Sequence, residues 1–138
     1  MNKNLLDDPG ADIALVVFSH RTGIPWMRLL RGGFRHCFVL LRQVDGSWTL
    51  VDSLPNRIVV RPFDTQAIGR LLPRLARRGD RIVPVAPNRR PARRKRSMRP
   101  FSCVELSIRL LGFRSLNVLT TYGLFRSLSF LKENNVDK

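Results

Sequence analysis

Apolar and β-branched positions along this chain fall into short runs separated by turn chemistry, with helical periodicity confined to a few segments. "DIALVVFS" (12–19), apolar and β-branched in its middle, reads as a buried strand. "RHCFVLLRQ" (35–43) and "WTLVDS" (48–53) flank the turn signal "VDGS" (44–47), and the three together predict a hairpin. "RIVVRPF" (57–63) predicts a fourth strand. "DRIVPVAP" (80–87) predicts a fifth, at a sheet edge because Pro84 has no N–H to give to a ladder.

Helical signals are fewer. "GIPWMRLLRGG" (23–33) suits a short amphipathic helix or turn, with Pro25 in a first helical position and Gly32-Gly33 ending it. "DTQAIGRLLPRLARRG" (64–79) opens on a cap at Asp64 or Thr65 and closes at Gly79, and Pro73 in its middle predicts a kink or two short pieces. "FSCVELSIRLLG" (101–112) and "TTYGLFRSLSFLKENN" (120–135) predict two late helices, the second with a polar end that should fray. Antiparallel strands followed by a late helix predict an α+β fold, a sheet of about five strands packed against helices on one side. A chain of 138 residues fits one domain, with a core over about 12–130, a basic loop at 88–100 and a flexible tail at 132–138.

Composition narrows the chemistry. A hydrophobic fraction of 43% is that of a chain with a real core. Two cysteines, Cys37 and Cys103, make no disulfide framework, and no CxxC or HxxxH pair accompanies them, so neither a metal nor a cofactor is expected. The opening "MNKNLLDDPGAD" lacks the apolar core of a signal peptide and no run is long enough to span a bilayer, so a cytoplasmic protein without a transmembrane segment is expected. Lys and Arg number 25 against 10 Asp and Glu, a formal net charge of +15, which attracts polyanions of any kind. Arg89, Arg90, Arg93, Arg94, Lys95, Arg96 and Arg99 concentrate that charge between prolines. Such a run is ordinarily a solvated loop. It lacks the interleaved aromatics of a single-strand binder and any helix-turn-helix or zinc-finger pattern, so it fits non-specific attraction and not sequence readout.

The stretch "SCVE" (102–105) carries the sharper signal. Ser102 and Glu105 match a capping box, with Val104, Ile108 and Leu111 recurring at helical spacing behind it. Cys103 then occupies the first helical position, where unpaired N–H groups and the positive end of the helix dipole favour a thiolate. A buried apolar cysteine is the plainer reading of the same residue. A thiolate nucleophile needs a base and an orienting group. The chain has two histidines. His20 lies in the loop "SHRTG" and reads as a solvent or turn residue; His36 opens the second strand, and Asp52 sits near the end of the third.

Hairpin parity decides whether His36 and Asp52 share a face. A two-residue turn at Asp45-Gly46 makes partner numbers sum to 91 and sets Asp52 opposite His36. A three-residue loop Val44-Asp45-Gly46, with Gly46 left-handed in a bulge, makes them sum to 90 and sets both on one face. In the second case His36 is the base for Cys103, Asp52 holds the imidazole, and the Cys103 N–H is one oxyanion donor. Asp52 equally fits a side-chain cap on the turn "DSLPN". Cys37, next to His36, points to the opposite face and reads as a small core residue. Trp26 and Trp48 read as core or cross-strand residues.

The order of "RHCFVLL", "WTLVDS" and "FSCVELSIRLLG" resembles the circularly permuted papain-like hydrolases of the NlpC-like superfamily, which include the lecithin retinol acyltransferase relatives. In that group the cysteine helix follows the sheet, and "LTTYGLFRSL" resembles the ending of small phage and bacterial members. The resemblance covers about residues 12–130. It implies Cys103 as nucleophile, His36 as base and Asp52 as third residue, although relatives also use His, Asn or Glu in the third place. It implies an amide or ester substrate, a cell-wall peptide among them, attacked through a thioester. The alternative is a non-catalytic module of the same fold that holds nucleic acid or an anionic polymer through its arginine-rich loop.

Overall fold

The computed structural model describes residues 12–20, 34–88, 102–113 and 118–134. The segment 23–33 with Pro25 and Trp26, the arginine run from Arg89 to Arg99 and the last residues of the tail lie outside them. The described chain forms β1 (Ala14–Ser19), β2 (His36–Arg42), β3 (Trp48–Leu54), β4 (Arg57–Phe63), α1 (Thr65–Arg77), β5 (Arg81–Val85), α2 (Cys103–Leu111) and α3 (Thr121–Asn134). The protein is α+β, with one five-stranded sheet in the order β4-β3-β2-β1-β5. Every pairing is antiparallel. Pro84 does sit on an edge strand, opposite Leu15. Among the described residues no helix is long and apolar enough to cross a membrane.

Strand β1 is buried along its whole length because helices cover both faces of the sheet. Ala14, Val16 and Phe18 join Cys37, Val39, Val83 and the α2 and α3 residues Val104, Ile108, Leu111, Leu124 and Leu128. Leu15 and Val17, pointing the other way, join Leu40, Trp48 and the α1 residues Ile68, Leu72 and Leu75. The expected one-sided packing is therefore corrected: α1 takes one face, and α2 with α3 the other. The physical reason is that β1 is apolar at successive positions, so neither face of it can stay wet. Each buried aliphatic or aromatic side chain contributes roughly 1.5–3 kcal/mol of transfer free energy.

Of the kink or two short pieces expected at Pro73, the two pieces are corrected: α1 runs through Pro73 as one element, capped by Asp64, whose side chain accepts from the Ala67 N–H at 2.6 Å. Burial of Ile68, Leu72 and Leu75 along one stripe spans the proline, and that packing offsets the lost hydrogen bond.

The β2–β3 hairpin closes through the three-residue loop. Gly46 N–H donates to Gln43 O at 3.0 Å, Gln43 N–H to Ser47 O at 2.8 Å, and Gly46 is left-handed at φ 84°. Asp45 Oδ1 accepts from the Ser47 N–H and hydroxyl at 2.9 and 2.6 Å. Val39 pairs with Val51 and Arg42 with Trp48, the register in which partner numbers sum to 90. Trp48 is a core residue, with the Arg42 guanidinium 6.0 Å from its ring centre.

Helix α2 begins as its capping box requires. Ser102 Oγ accepts from the Glu105 N–H at 3.2 Å, and the buried Glu105 carboxylate takes Arg109 Nε at 2.9 Å one turn on. It ends at Gly112, left-handed at φ 71°, where Asn88 N–H donates to Leu111 O at 2.8 Å. A Cβ on Gly112 would collide with the Asn88 carbonyl oxygen. Gly112→Ala should therefore lower stability by at least about 2 kcal/mol, the left-handed penalty alone accounting for roughly 1–2 kcal/mol. Chemical denaturation measures it, and an unchanged midpoint would mean that α2 is not anchored at this end.

Candidate active site

The register places His36 and Asp52 on one face at the end of the hairpin remote from Gly46. His36 Nε2 lies 2.6 Å from Asp52 Oδ1, both side chains about four-fifths buried. With Nε2 engaged by the carboxylate, Nδ1 is the ring nitrogen left for a second partner. Asp52 thus holds the imidazole and does not serve as a cap for the turn that follows it.

Where β2 and β3 approach this end, their shared ladder stops. The last pair is Val39 with Val51, although β2 starts at His36 and β3 runs on to Leu54. Outer pairings continue instead, Ser19 with His36 and Asp52 with Val59. In β2 the Arg42 N–H points to Ile13 beside β1 and the Gln43 N–H to Ser47 beside β3. Odd-numbered amides of β2 therefore face β3, and the Cys37 N–H faces the gap beyond the last pair. That N–H is one of the groups that hold the Cys103 pKa down. The start of α2 thus brings its sulfur to the split between the two central strands, where groups from both faces of the sheet converge.

Three partners meet the sulfur. The Cys37 thiol hydrogen-bonds it and is the largest influence lowering the Cys103 pKa; burial pushes the other way, and His36 and the Cys37 N–H lower it further, to about 4. His36 shows the complement. Burial is the largest single influence on it and pushes its pKa down, but hydrogen bonds to Asp52 and Cys103, with their charges, outweigh burial and raise it to about 9. Cys37 is pushed up, first by the Cys103 sulfur beside it and then by burial. Between about pH 4 and about pH 9 the site is accordingly a Cys103 thiolate and a His36 imidazolium, with Cys37 a neutral donor to the sulfur.

All three residues singled out in the sequence come together here. What sequence reasoning missed is the role of Cys37. It does point away from His36's face and is 1% exposed in the α2–α3 core, but there it meets Cys103 rather than packing as an inert hydrophobe. Ser107, one turn into α2, ties the two cysteines, its hydroxyl donating to Cys103 O at 2.8 Å and lying 3.6 Å from Cys37 Sγ. His20, read as a solvent or turn residue, is exposed at a bend and also faces the buried Asp80 carboxylate, Nδ1 to Oδ1 3.5 Å, with Arg78 Nε 3.9 Å from the other oxygen. Among the described residues no cluster of three His, Cys, Asp or Glu side chains forms a metal cage. No family model, curated protein or solved structure matches this chain.

A neutral alkylator such as iodoacetamide should label Cys103 with an inflection near pH 4 and a second rise near pH 9, as His36 loses its proton. Buried Cys37 should stay unlabelled while the protein is folded. Asp52→Asn should move the upper inflection down, because the carboxylate is one of the groups holding the imidazolium. A single inflection near the free-thiol value of about 8.5 would contradict the ion pair.

Proposed function

We propose that the protein is a permuted papain-like cysteine hydrolase or acyltransferase, acting on an amide or ester with Cys103 as nucleophile, His36 as base and Asp52 orienting it. The observation that carries this reading is the convergence on one split in the sheet of a helix-start sulfur, an imidazole and a carboxylate 2.6 Å from that imidazole. The Cys103 thiolate attacks the carbonyl carbon, and the carbonyl oxygen becomes an oxyanion beside the free Cys103 N–H of the helix start. As the C–N or C–O bond breaks, His36 gives its proton to the leaving amine or alcohol, and a thioester remains. Water, or an acceptor alcohol or amine, then loses a proton to His36 as it attacks the thioester, and the sulfur leaves as thiolate. Peptides of the cell wall are one amide class that this chemistry serves.

A second reading has its own observation. The solvent face of α1 carries Arg70, Arg74 and Arg77 at helical spacing, with no acidic residue in its first turn, on a chain of net charge +15. Together with Arg89, Arg90, Arg93, Arg94, Lys95, Arg96 and Arg99 this stripe suits a polyanion held by charge alone. Arg74 and Arg77 also complement the C-terminal end of the helix dipole, which gives them a structural reason to be there. Binding of this kind weakens steeply with salt and survives Cys103→Ala.

The hydrolase reading is tested with an activated ester and an N-acyl peptide. A burst of released alcohol proportional to enzyme, with an acyl adduct on Cys103 by mass spectrometry, is expected from the wild type. Cys103→Ala should abolish both, and His36→Ala should lower kcat/KM by about 10²–10⁴-fold. Turnover retained in Cys103→Ala would remove the proposal.

A further inference from the structure

We propose that Cys37 is the resolving cysteine for Cys103, so that a peroxide converts the pair into an internal disulfide joining β2 to α2. The chain has only these two cysteines, and both are free thiols in the structure. They come from strands of sequence far apart, yet both pack in one cluster and both engage the Ser107 hydroxyl. Cys103 is the partly exposed member at a helix start, while Cys37 is 1% exposed and reaches no solvent reactant.

That asymmetry fixes the order of events. The thiolate is the form that peroxide oxidises, and access decides which thiol is oxidised first; both favour Cys103. Cys103 sulfur attacks a peroxide oxygen, the O–O bond breaks, and the departing hydroxide takes a proton, supplied by His36, to leave as water. Cys103 is oxidised by two electrons to the sulfenic acid and the peroxide is reduced. The Cys37 sulfur then attacks the Cys103 sulfur. Its proton goes to the sulfenic oxygen, the S–O bond breaks, the S–S bond forms, and a second water leaves. The two sulfurs, packed in one cluster, must close to about 2.05 Å, which rotation of both side chains has to supply. Burial of Cys37 denies it to outside thiols, so the sulfenic acid has its resolving partner already beside it.

The inference does not require hydrolase activity, and its readout is mass and thiol content. The full chain, treated with hydrogen peroxide and digested without reductant, should yield a cross-linked peptide pair containing Cys37 and Cys103. Both free thiols should disappear together and return on addition of dithiothreitol. In Cys37→Ser the same treatment should leave a Cys103 sulfenic acid that dimedone traps, and prolonged exposure should carry it on to sulfinic acid that dithiothreitol does not restore. Cys37→Ala serves if the serine variant does not fold, and the wild-type cross-link is measured without either variant. Oxidation of wild-type Cys103 to sulfinic acid while Cys37 remains a free thiol, or a disulfide only between two molecules, would overturn the proposal. Loss of hydrolysis in every assay together with formation of the internal cross-link would dispose of the proposed activity and leave this inference standing.

Discussion

The meeting of Cys103, His36 and Asp52 hangs on one backbone torsion at the far end of the hairpin. Gly46, left-handed at φ 84°, lets the connection between β2 and β3 close with three residues, and the pairing follows in steps from that turn. Side chains alternate along a strand, so a one-residue change in register moves every side chain of β3 to the other face. Asp52 would then point into the α2–α3 core and His36 would lose its carboxylate. Two further features defend the register: Asp45 accepts both Ser47 donors within the loop, and Trp48 is committed to the α1 side of the sheet.

What the register makes possible, the end of the ladder puts to use. A fully zipped sheet would spend the Cys37 N–H on β3 and keep the two faces of the sheet apart. Because the central pairing stops at Val39 and Val51 while the flanking pairings go on, one backbone donor is released toward the sulfur. The thiolate is thus stabilised by local, directed donors. The large positive charge of the chain contributes little by comparison, since exposed charges beyond about 10 Å are screened at ordinary salt.

Most of this was legible in the sequence, and the reasons are local. Ser102 and Gly112 bracket α2 because a cap and a left-handed terminus each demand particular residue types. The residues 44–46 allow two turns, distinguishable only by whether Gly46 takes its left-handed position inside a longer loop. The side of the sheet chosen by α1 was not legible, since β1 is apolar from Ala14 to Phe18 and favours neither face. Nor was the passage of α1 through Pro73, because the burial that offsets it comes from β1, β2 and β3, not from the helix's own sequence. The Cys37–Cys103 contact lies between these cases: strand alternation fixed the face of Cys37, but only packing shows what lies opposite.

Lowering the Cys103 pKa does not by itself make a faster nucleophile. A thiol at 9.0 is about 1% thiolate at pH 7, so bringing it to about 4 multiplies the thiolate population roughly 10²-fold. With a Brønsted slope of about 0.4–0.5, the same change lowers the sulfur's intrinsic reactivity by roughly 10²-fold. The two effects nearly cancel. What remains is the other half of the pair: a His36 that at neutral pH still holds the proton a leaving amine or alcohol needs, kept there by Asp52. On the proposed hydrolase reading, such a pair suits a substrate whose difficulty lies in expelling its leaving group. That is the property of amides and unactivated esters, and under that proposal the 2.6 Å contact between His36 and Asp52, more than the sulfur alone, is the feature that would set the chemistry.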